Sequence, residues 1–236
     1  MAIDFHDREV IVTGGTGALG IAVVGELLAG GAICHVPYYI EEEEKRFPHR
    51  EHPRVKLIAG GNLASQTVVN RLYDAVPKLW ASVHLAGGFA ASPVAETSES
   101  DLVTMLRTNL VTCFLCCSAA VRAMRRAGKA GGRIVNVAAR PALEPRLGAG
   151  SAAYAASKAG VAALTQALAA EVLGEGILVN AVAPSIIDTP ANRSAMPKAS
   201  YALWPKADEV ASVICGLASP ANRITSGAVI PIYGRA

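Results

Sequence analysis

Two side chains four residues apart, Tyr154 and Lys158, lie in an alanine-rich run of helical character, which places both on one helix face. A tyrosine with an ordinary pKa of about 10 is a sluggish acid or base at neutral pH, and a neighbouring ammonium favours the phenolate. Such a pair can give a proton to an oxygen as hydride reaches the adjoining carbon, or take the proton back in reverse. Far upstream stands Thr13-Gly14-Gly15-Thr16-Gly17-Ala18-Leu19-Gly20. Glycines let a backbone turn tightly and come close to a ligand, and amides at a helix start attract a pyrophosphate. No lysine sits in this turn, which disfavours a phosphate-transferring P-loop.

These groups need a scaffold, and the hydrophobic pattern supplies one. Short apolar runs are expected as strands at Val10–Thr13, Ala32–Val36, Val55–Ile58, Ser82–Ala86, Arg133–Val137, Ile177–Ala183 and Ala228–Ile232. They alternate with longer helical stretches, and continuously apolar strands are what a parallel sheet covered on both faces requires. The expected fold is α/β, a single-domain doubly wound parallel sheet over residues 1–236. The glycine octet then falls at the first strand-to-helix turn. Ser98-x-x-Asp101 reads as a capping box opening a helix to about Ala127, closed by Gly128 and Gly131-Gly132. A second helix is expected from Ala152 to Leu173, with Ser151 as its cap. Residues 185–206, rich in Pro, Asn and Ser, form the one long segment of poor periodicity and are expected to be a substrate loop.

Composition excludes several classes. A chain of 236 residues, 52% hydrophobic, can bury a large core, and its net charge is only +3. The basic cluster Arg122, Arg125, Arg126 and Lys129 falls near a helix end, where it complements the dipole, so no nucleic-acid partner is expected. The Glu41–Glu44 run reads as a solvated loop or helix start. Met1–Glu9 carries three acids and lacks the features of a signal peptide, and no apolar stretch is expected to reach the length of a membrane span, since Lys158 interrupts the longest alanine-rich segment. The chain is therefore expected to be cytoplasmic, with no membrane partner. Its five cysteines read as reduced thiols. Cys113 and Cys116 have ligand-like spacing but no second pair to complete a tetrahedral site, so no metal is expected. His84, inside an apolar strand, reads as a hydrogen-bonded core residue.

The order of these motifs resembles the short-chain dehydrogenase/reductase family across nearly the whole chain. After the nucleotide turn come His84-Leu-Ala-Gly87, where the family usually has Asn-Asn-Ala-Gly, then Thr108-Asn-Leu-Val-Thr-Cys-Phe114. Tyr154 and Lys158 follow, then Pro184-Ser-Ile-Ile-Asp-Thr189. The resemblance implies a Rossmann-like domain binding NAD(P)(H) and a small-molecule substrate. It implies Tyr154 as acid-base, Lys158 on the nicotinamide ribose, and Asn109 organising a water-linked proton relay. Cofactor contacts are expected from Gly14, Thr16, Gly17, Ala18, Leu19, Tyr38, Asn62, Leu63, Ala86, Gly87, Gly88, Pro184, Ile187 and Thr189, besides the three catalytic residues. A homodimer or homotetramer is also implied.

Departures from the family pattern are informative. The family's catalytic serine is missing: Ala138 and Ala139 stand in its place, and neither can donate a hydrogen bond. Ser151 and Arg140 are the candidates to replace it. The glycine spacing is TGxxGxxG, with Ala18 where a middle glycine is usual. With Ala86-Gly-Gly-Phe89, Asp188-Thr-Pro-Ala-Asn-Arg193, Met196-Pro197 and Trp204, these features resemble the dihydropteridine reductase branch, whose quinonoid substrate needs only modest acid assistance. Phe89, Ala139, Arg140, Arg193 and Trp204 are the candidate substrate residues. The second strand ends in Val36-Pro-Tyr-Tyr39, with no acid for ribose hydroxyls. Lys45 and Arg46 could fold back toward a 2′-phosphate, which leans the cofactor toward NADP(H). A catalytically idle dinucleotide-binding sensor, or an isomerase using bound nicotinamide, stand as alternative readings.

Overall fold

The computed structural model describes residues 3–128 and 131–235; Lys129 of the basic cluster lies outside them. In chain order the elements are β1 (Glu9–Thr13), α1 (Ala18–Ala29), β2 (Ile33–Tyr38), α2 (Glu41–Arg46), β3 (Val55–Ala59), α3 (Gln66–Asp74) and β4 (Leu79–His84). Then follow α4 (Glu99–Leu106), α5 (Thr112–Arg126), β5 (Gly132–Val137), α6 (Arg140–Leu143), α7 (Ala152–Val172), β6 (Ile177–Pro184), α8 (Pro190–Ala195), α9 (Ala207–Ala218) and β7 (Val229–Ile232). Seven strands form one sheet in the order β3-β2-β1-β4-β5-β6-β7, with every neighbouring pair parallel.

Burial explains why the strands read so clearly. All eight residues of β6 are buried, because helices cover both faces of the sheet. On one face Leu72 and Tyr73 of α3, Cys116 and Met124 of α5, and Val161 and Val172 of α7 pack against Ile11, Ile134 and Val179. On the other, Val23 and Leu27 of α1 and Val210 and Ile214 of α9 pack against Val10, Val12, Val83 and Val182. Each such fully buried aliphatic side chain contributes roughly 1.5–3 kcal/mol of transfer free energy.

Four sequence expectations are corrected. The fourth strand runs Leu79–His84 rather than Ser82–Ala86: pairing with β1 starts at Leu79 opposite Glu9, and the glycines that follow draw Leu85 and Ala86 off the ladder. The helix expected from Ser98 to Ala127 is interrupted by a wide π turn at Arg107–Val111, so α4 and α5 are separate α segments of one rod. This rod, Glu99–Arg126, is also long and apolar enough to cross a membrane by length and composition, contrary to the expectation that no stretch is; here its apolar face lies against the sheet and α3. Finally, the aperiodic segment 185–206 is folded. It contains α8 and a short 3-10 turn, and is pinned where Asp188 N–H donates to Pro205 O at 2.9 Å. Short helices punctuated by proline are too brief to show a period.

Other local signals hold. Asp101 N–H donates to Ser98 Oγ at 3.1 Å and Ser98 N–H to Asp101 Oδ2 at 3.0 Å, a reciprocal capping box. Gly176 takes φ +71° after α7, the left-handed stop that glycine permits. Ser151 does occupy the N-cap position of α7, but its hydroxyl donates back to Gly148 O at 3.3 Å instead of capping an amide.

Candidate active site

Parallel strands deliver their carboxyl ends to one sheet edge, and the strand order reverses between β1 and β4. A crevice must open there, and the glycine turn after β1 meets the Ala86-Gly87-Gly88 run after β4 in it. Leu85 N–H donates to Thr13 O at 3.0 Å, which stitches the two together. Gly14 takes φ +67°, and a Cβ on it would lie 2.7 Å from Ala86 N, so only glycine fits this approach. Gly17 stands at the N-cap of α1 with no side-chain cap, leaving the first-turn amides at Ala18 and Leu19 for an anion. The cleft measures about 300 Å³ and is lined by Gly14, Thr16, Gly17, Tyr38, Leu63, Ala86 and Gly87 among the expected residues. Glycine backbone and uncapped amides at a switch point suit a dinucleotide pyrophosphate.

The other end of the cleft carries an acid that the sequence reading missed. Pro37, Tyr39 and Glu43 also line it, and Glu43 Oε2 accepts from Tyr39 N–H at 2.8 Å. Glu43 comes from α2, folded back over the end of β2, a placement that only the turn between them creates. Lys45 and Arg46 do not fold back: Lys45 Nζ pairs with Glu41 at 3.5 Å, and Arg46 Nε donates to Glu42 O at 3.0 Å along their own helix. Asn62, expected to meet an adenine amino group, spends one lone pair of its amide oxygen on Ala64 N–H at 2.9 Å, an Asx turn.

At the reacting end, Asn109 is the keystone. Buried in the π turn, it accepts from Gly88 N–H at 3.0 Å, while its Nδ2 donates to Gly88 O at 3.0 Å and Ser157 Oγ at 3.0 Å. It thus clamps the glycine run onto α7 while also donating to Met105 Sδ, four residues back in its own rod, at 3.1 Å. A Cβ on Gly87 would fall 2.6 Å from Asn109 Oδ1 and 3.4 Å from Lys158 Nζ, so this glycine makes room for both. Lys158 is buried and donates to Val137 O at 2.8 Å. Burial pushes its ammonium down to about 8, partly opposed by Cys113 nearby. Tyr154 sits one turn before it, half-buried, with the Phe89 ring edge-on at 4.9 Å between centroids. Burial pushes the Tyr154 phenol up to about 12. The lowering expected from Lys158 does not appear, because the ammonium is turned to a main-chain carbonyl and desolvation of the phenol dominates.

The remaining expected residues divide. Ala138 and Ala139 are buried where the family's serine would stand, and Ala139 opens α6. Arg140 pairs with Glu144 at 3.3 Å and stacks 4.4 Å over the Tyr233 ring. Arg193 is held by Asp188 through two bonds of 2.6 and 2.8 Å, which ties α8 to the chain before it rather than leaving the guanidinium open to a ligand. Trp204 is buried against Tyr201, a core residue of that segment. Phe89 is 67% exposed and stays available as an apolar wall. Pro184 ends β6 at the same sheet edge, Ile187 packs into the core, and Thr189 Oγ1 caps α8 by accepting from Asn192 N–H at 3.2 Å. His84 is buried and hydrogen-bonded, as expected.

Known proteins resemble this chain in sequence and fold. The family model described as short chain dehydrogenase matches residues 8–200. The 3-oxoacyl-[acyl-carrier-protein] reductase of Chlamydia pneumoniae is 31% identical over 196 residues, 80% of this chain and 77% of its own. The cis-4-hydroxycyclohexanecarboxylate dehydrogenase of Sinomonas cyclohexanicum is 32% identical over 245 residues, covering 98% and 96%. The solved structure of ElxO with NADP bound superposes with a TM-score of 0.86 at 26% identity, over 97% of this chain and 98% of that one. With the dinucleotide cleft, Tyr154 and Lys158 in place, the chain belongs to the short-chain dehydrogenase/reductase family and is an NAD(P)-dependent oxidoreductase.

Proposed function

We propose that this enzyme reduces a planar carbonyl or quinonoid substrate, with Tyr154 as proton donor and without the family's usual serine. One observation carries the reading: Asn109 and Lys158 meet at the Gly87-Gly88 run and Tyr154 packs on the adjoining Phe89, while buried alanines hold the serine's place. Bound nicotinamide supplies the hydride. A phenol pushed up to about 12 is protonated throughout the physiological range, ready to protonate the substrate oxygen as it gains charge. Lys158, which donates to Val137 O and lies beside Gly87, is the cation that would meet the nicotinamide ribose. Asn109 keeps the glycine run and α7 in register, and through Ser157, whose hydroxyl donates to Tyr154 O at 2.7 Å, braces the tyrosine's own turn. Phe89 offers an apolar face for a flat ring, as a dihydropteridine-reductase-like substrate requires.

No side chain at positions 138 and 139 donates to the developing oxyanion. Removing one such donor commonly costs on the order of a hundredfold in rate, so simple ketones are disfavoured and electron-poor quinonoid rings are not. A panel of quinonoid pterins, quinones, diketones and simple ketones, followed by nicotinamide absorbance, tests the reading. Turnover is expected to concentrate on the quinonoid members. Ala139→Ser is expected to raise kcat/KM for simple ketones at least tenfold. Preferred turnover of simple ketones by the unmodified enzyme, or an unchanged ketone rate in folded Ala139→Ser, would count against it.

NADP(H) is the proposed cofactor, on the likeness to an NADP-bound structure. Glu43 opposes it, since its carboxylate lines the adenosine end and would repel a 2′-phosphate. Glu43→Gln is therefore expected to lower KM for NADPH several-fold with little change for NADH, and equal effects on both would remove Glu43 from cofactor choice. A homodimer or homotetramer formed through α5 and α7 also belongs to this reading, because Phe114, Ala152 and Ala156 face outward there; sedimentation equilibrium should give two or four times the chain mass, and a monomer mass would count against it.

A further inference from the structure

Behind the reacting end, α5 turns Cys113 and Cys117 inward, one helical turn apart, to meet His84 of β4 and Asn136 of β5. All four are at least nine-tenths buried, and His84 and Asn136 are cross-strand partners. Cys117 Sγ lies 3.5 Å from His84 Nδ1 and 3.4 Å from Asn136 Oδ1, and the donor atoms of His84, Cys113 and Cys117 all fall within 4.8 Å of one another. Tetrahedral zinc holds sulfur at about 2.3 Å and nitrogen at about 2.0–2.1 Å, which sets a sulfur–nitrogen edge of roughly 3.5 Å. The Cys117–His84 spacing already equals that edge.

The surroundings orient the same atoms. His84 Nε2 lies 2.8 Å from Ser82 Oγ and 3.1 Å from Tyr73 OH, so the far side of the ring is held as metal-binding imidazoles are held. Asn136 Nδ2 donates to Thr165 Oγ1 at 2.9 Å, which aims the amide oxygen into the cluster. Sequence spacing singles out Cys113 and Cys116 and leads to no expected metal; it is Cys117 that joins Cys113, with His84 and Asn136, 33 and 19 positions from Cys117, brought near by the fold.

We propose that His84, Cys113 and Cys117, with the Asn136 amide oxygen in the fourth position, bind one thiophilic divalent cation of the zinc class. Two thiolates cancel the charge of the dication, so the loaded core holds no net charge, the condition under which ions can be buried. As the two metal–sulfur bonds form, both thiols release their protons to solvent. The imidazole stays neutral: its proton moves from Nδ1, where it faces Asn136 Oδ1, to Nε2, where it faces Ser82 Oγ. All four positions come from the protein and none is left for water, which makes the site structural. It ties β4, α5 and β5 together directly behind Gly87 and Asn109.

The sealed core offers no entry path, so the test loads the metal during folding. The chain is unfolded in urea with reductant and refolded with one equivalent of Co²⁺. Thiolate-to-cobalt charge-transfer and tetrahedral ligand-field bands are expected, saturating at one ion per chain and displaced by Zn²⁺. They should vanish in Cys113→Ser/Cys117→Ser and persist in Cys215→Ser, whose thiol lies on the opposite face of the sheet. Refolding with Zn²⁺ should raise Tm by roughly 5 °C or more in the unmodified chain. Absence of the thiolate bands from the refolded unmodified chain, or their survival in the double variant, overturns the proposal. If the double variant fails to fold, loss of the bands in Cys215→Ser overturns it equally.

Discussion

Tyr154→Phe is expected to lower kcat/KM by about 10²–10⁴-fold, mostly through kcat, with nicotinamide binding unchanged. The substitution removes one oxygen and keeps the ring, so the edge-on packing with Phe89 and the fold survive. Among the proton-carrying side chains placed at the reacting end, Lys158 is already committed to Val137 O. Ala138 and Ala139 stand in the serine's place, and the hydroxyls of Ser157 and Ser151 are committed to Tyr154 O and Gly148 O, so the loss is not masked by a substitute. Steady-state rates with the best panel substrate, together with fluorescence titration of NADPH and NADH, separate chemistry from binding. Full activity in the variant would show that the proton comes from elsewhere, and the proposed mechanism would fall.

Lys158→Met is expected to abolish turnover to a similar extent and also to change how stability depends on pH. The unfolded side chain titrates at 10.5 and the folded one at about 8, because burial disfavours its charge. The folded pKa is depressed, so the contribution to stability is full above 10.5 and is lost as pH falls through 8. Across that window the unmodified enzyme gains on the order of 3 kcal/mol relative to the methionine variant. Urea unfolding of both proteins at intervals from pH 7 to 10 measures this: their stabilities should converge or cross as pH rises. Parallel curves would mean that the ammonium is solvated, and that its position against the Val137 carbonyl is not the one occupied in solution.

What the sequence made legible follows from burial. Strands covered on both faces are apolar throughout, so six of the expected strand positions fall within two residues of the observed ones, and only β4 is displaced. The glycine turn, Tyr154 and Lys158 could be found because each depends on local chemistry at a fixed place in a repeating strand–helix order, whereas Asn109 stood out only through the family resemblance. Glu43 could not, since its approach to Tyr39 N–H depends on how α2 folds back over the end of β2. Nor could the grouping of His84 with Cys117, because the packing of α5 on β4 is what brings these distant positions together. The Tyr154 phenol is the instructive middle case. Spacing alone places Lys158 on its face, but the desolvation of the ring and the carbonyl that claims the lysine decide which way its acidity moves.

The π turn at Arg107–Val111 has a consequence for the whole rod from Glu99 to Arg126. An α-helix advances about 100° per residue, so one extra residue in a turn offsets everything after it by about that angle. The rod therefore behaves as a crankshaft with two throws: α4 leans on α7, α5 leans on β4 and α3, and Asn109 is the pin at the offset. Shortening the turn by one residue would swing one throw against the other. The tyrosine, the lysine and the cleft would all remain present, yet out of phase with one another.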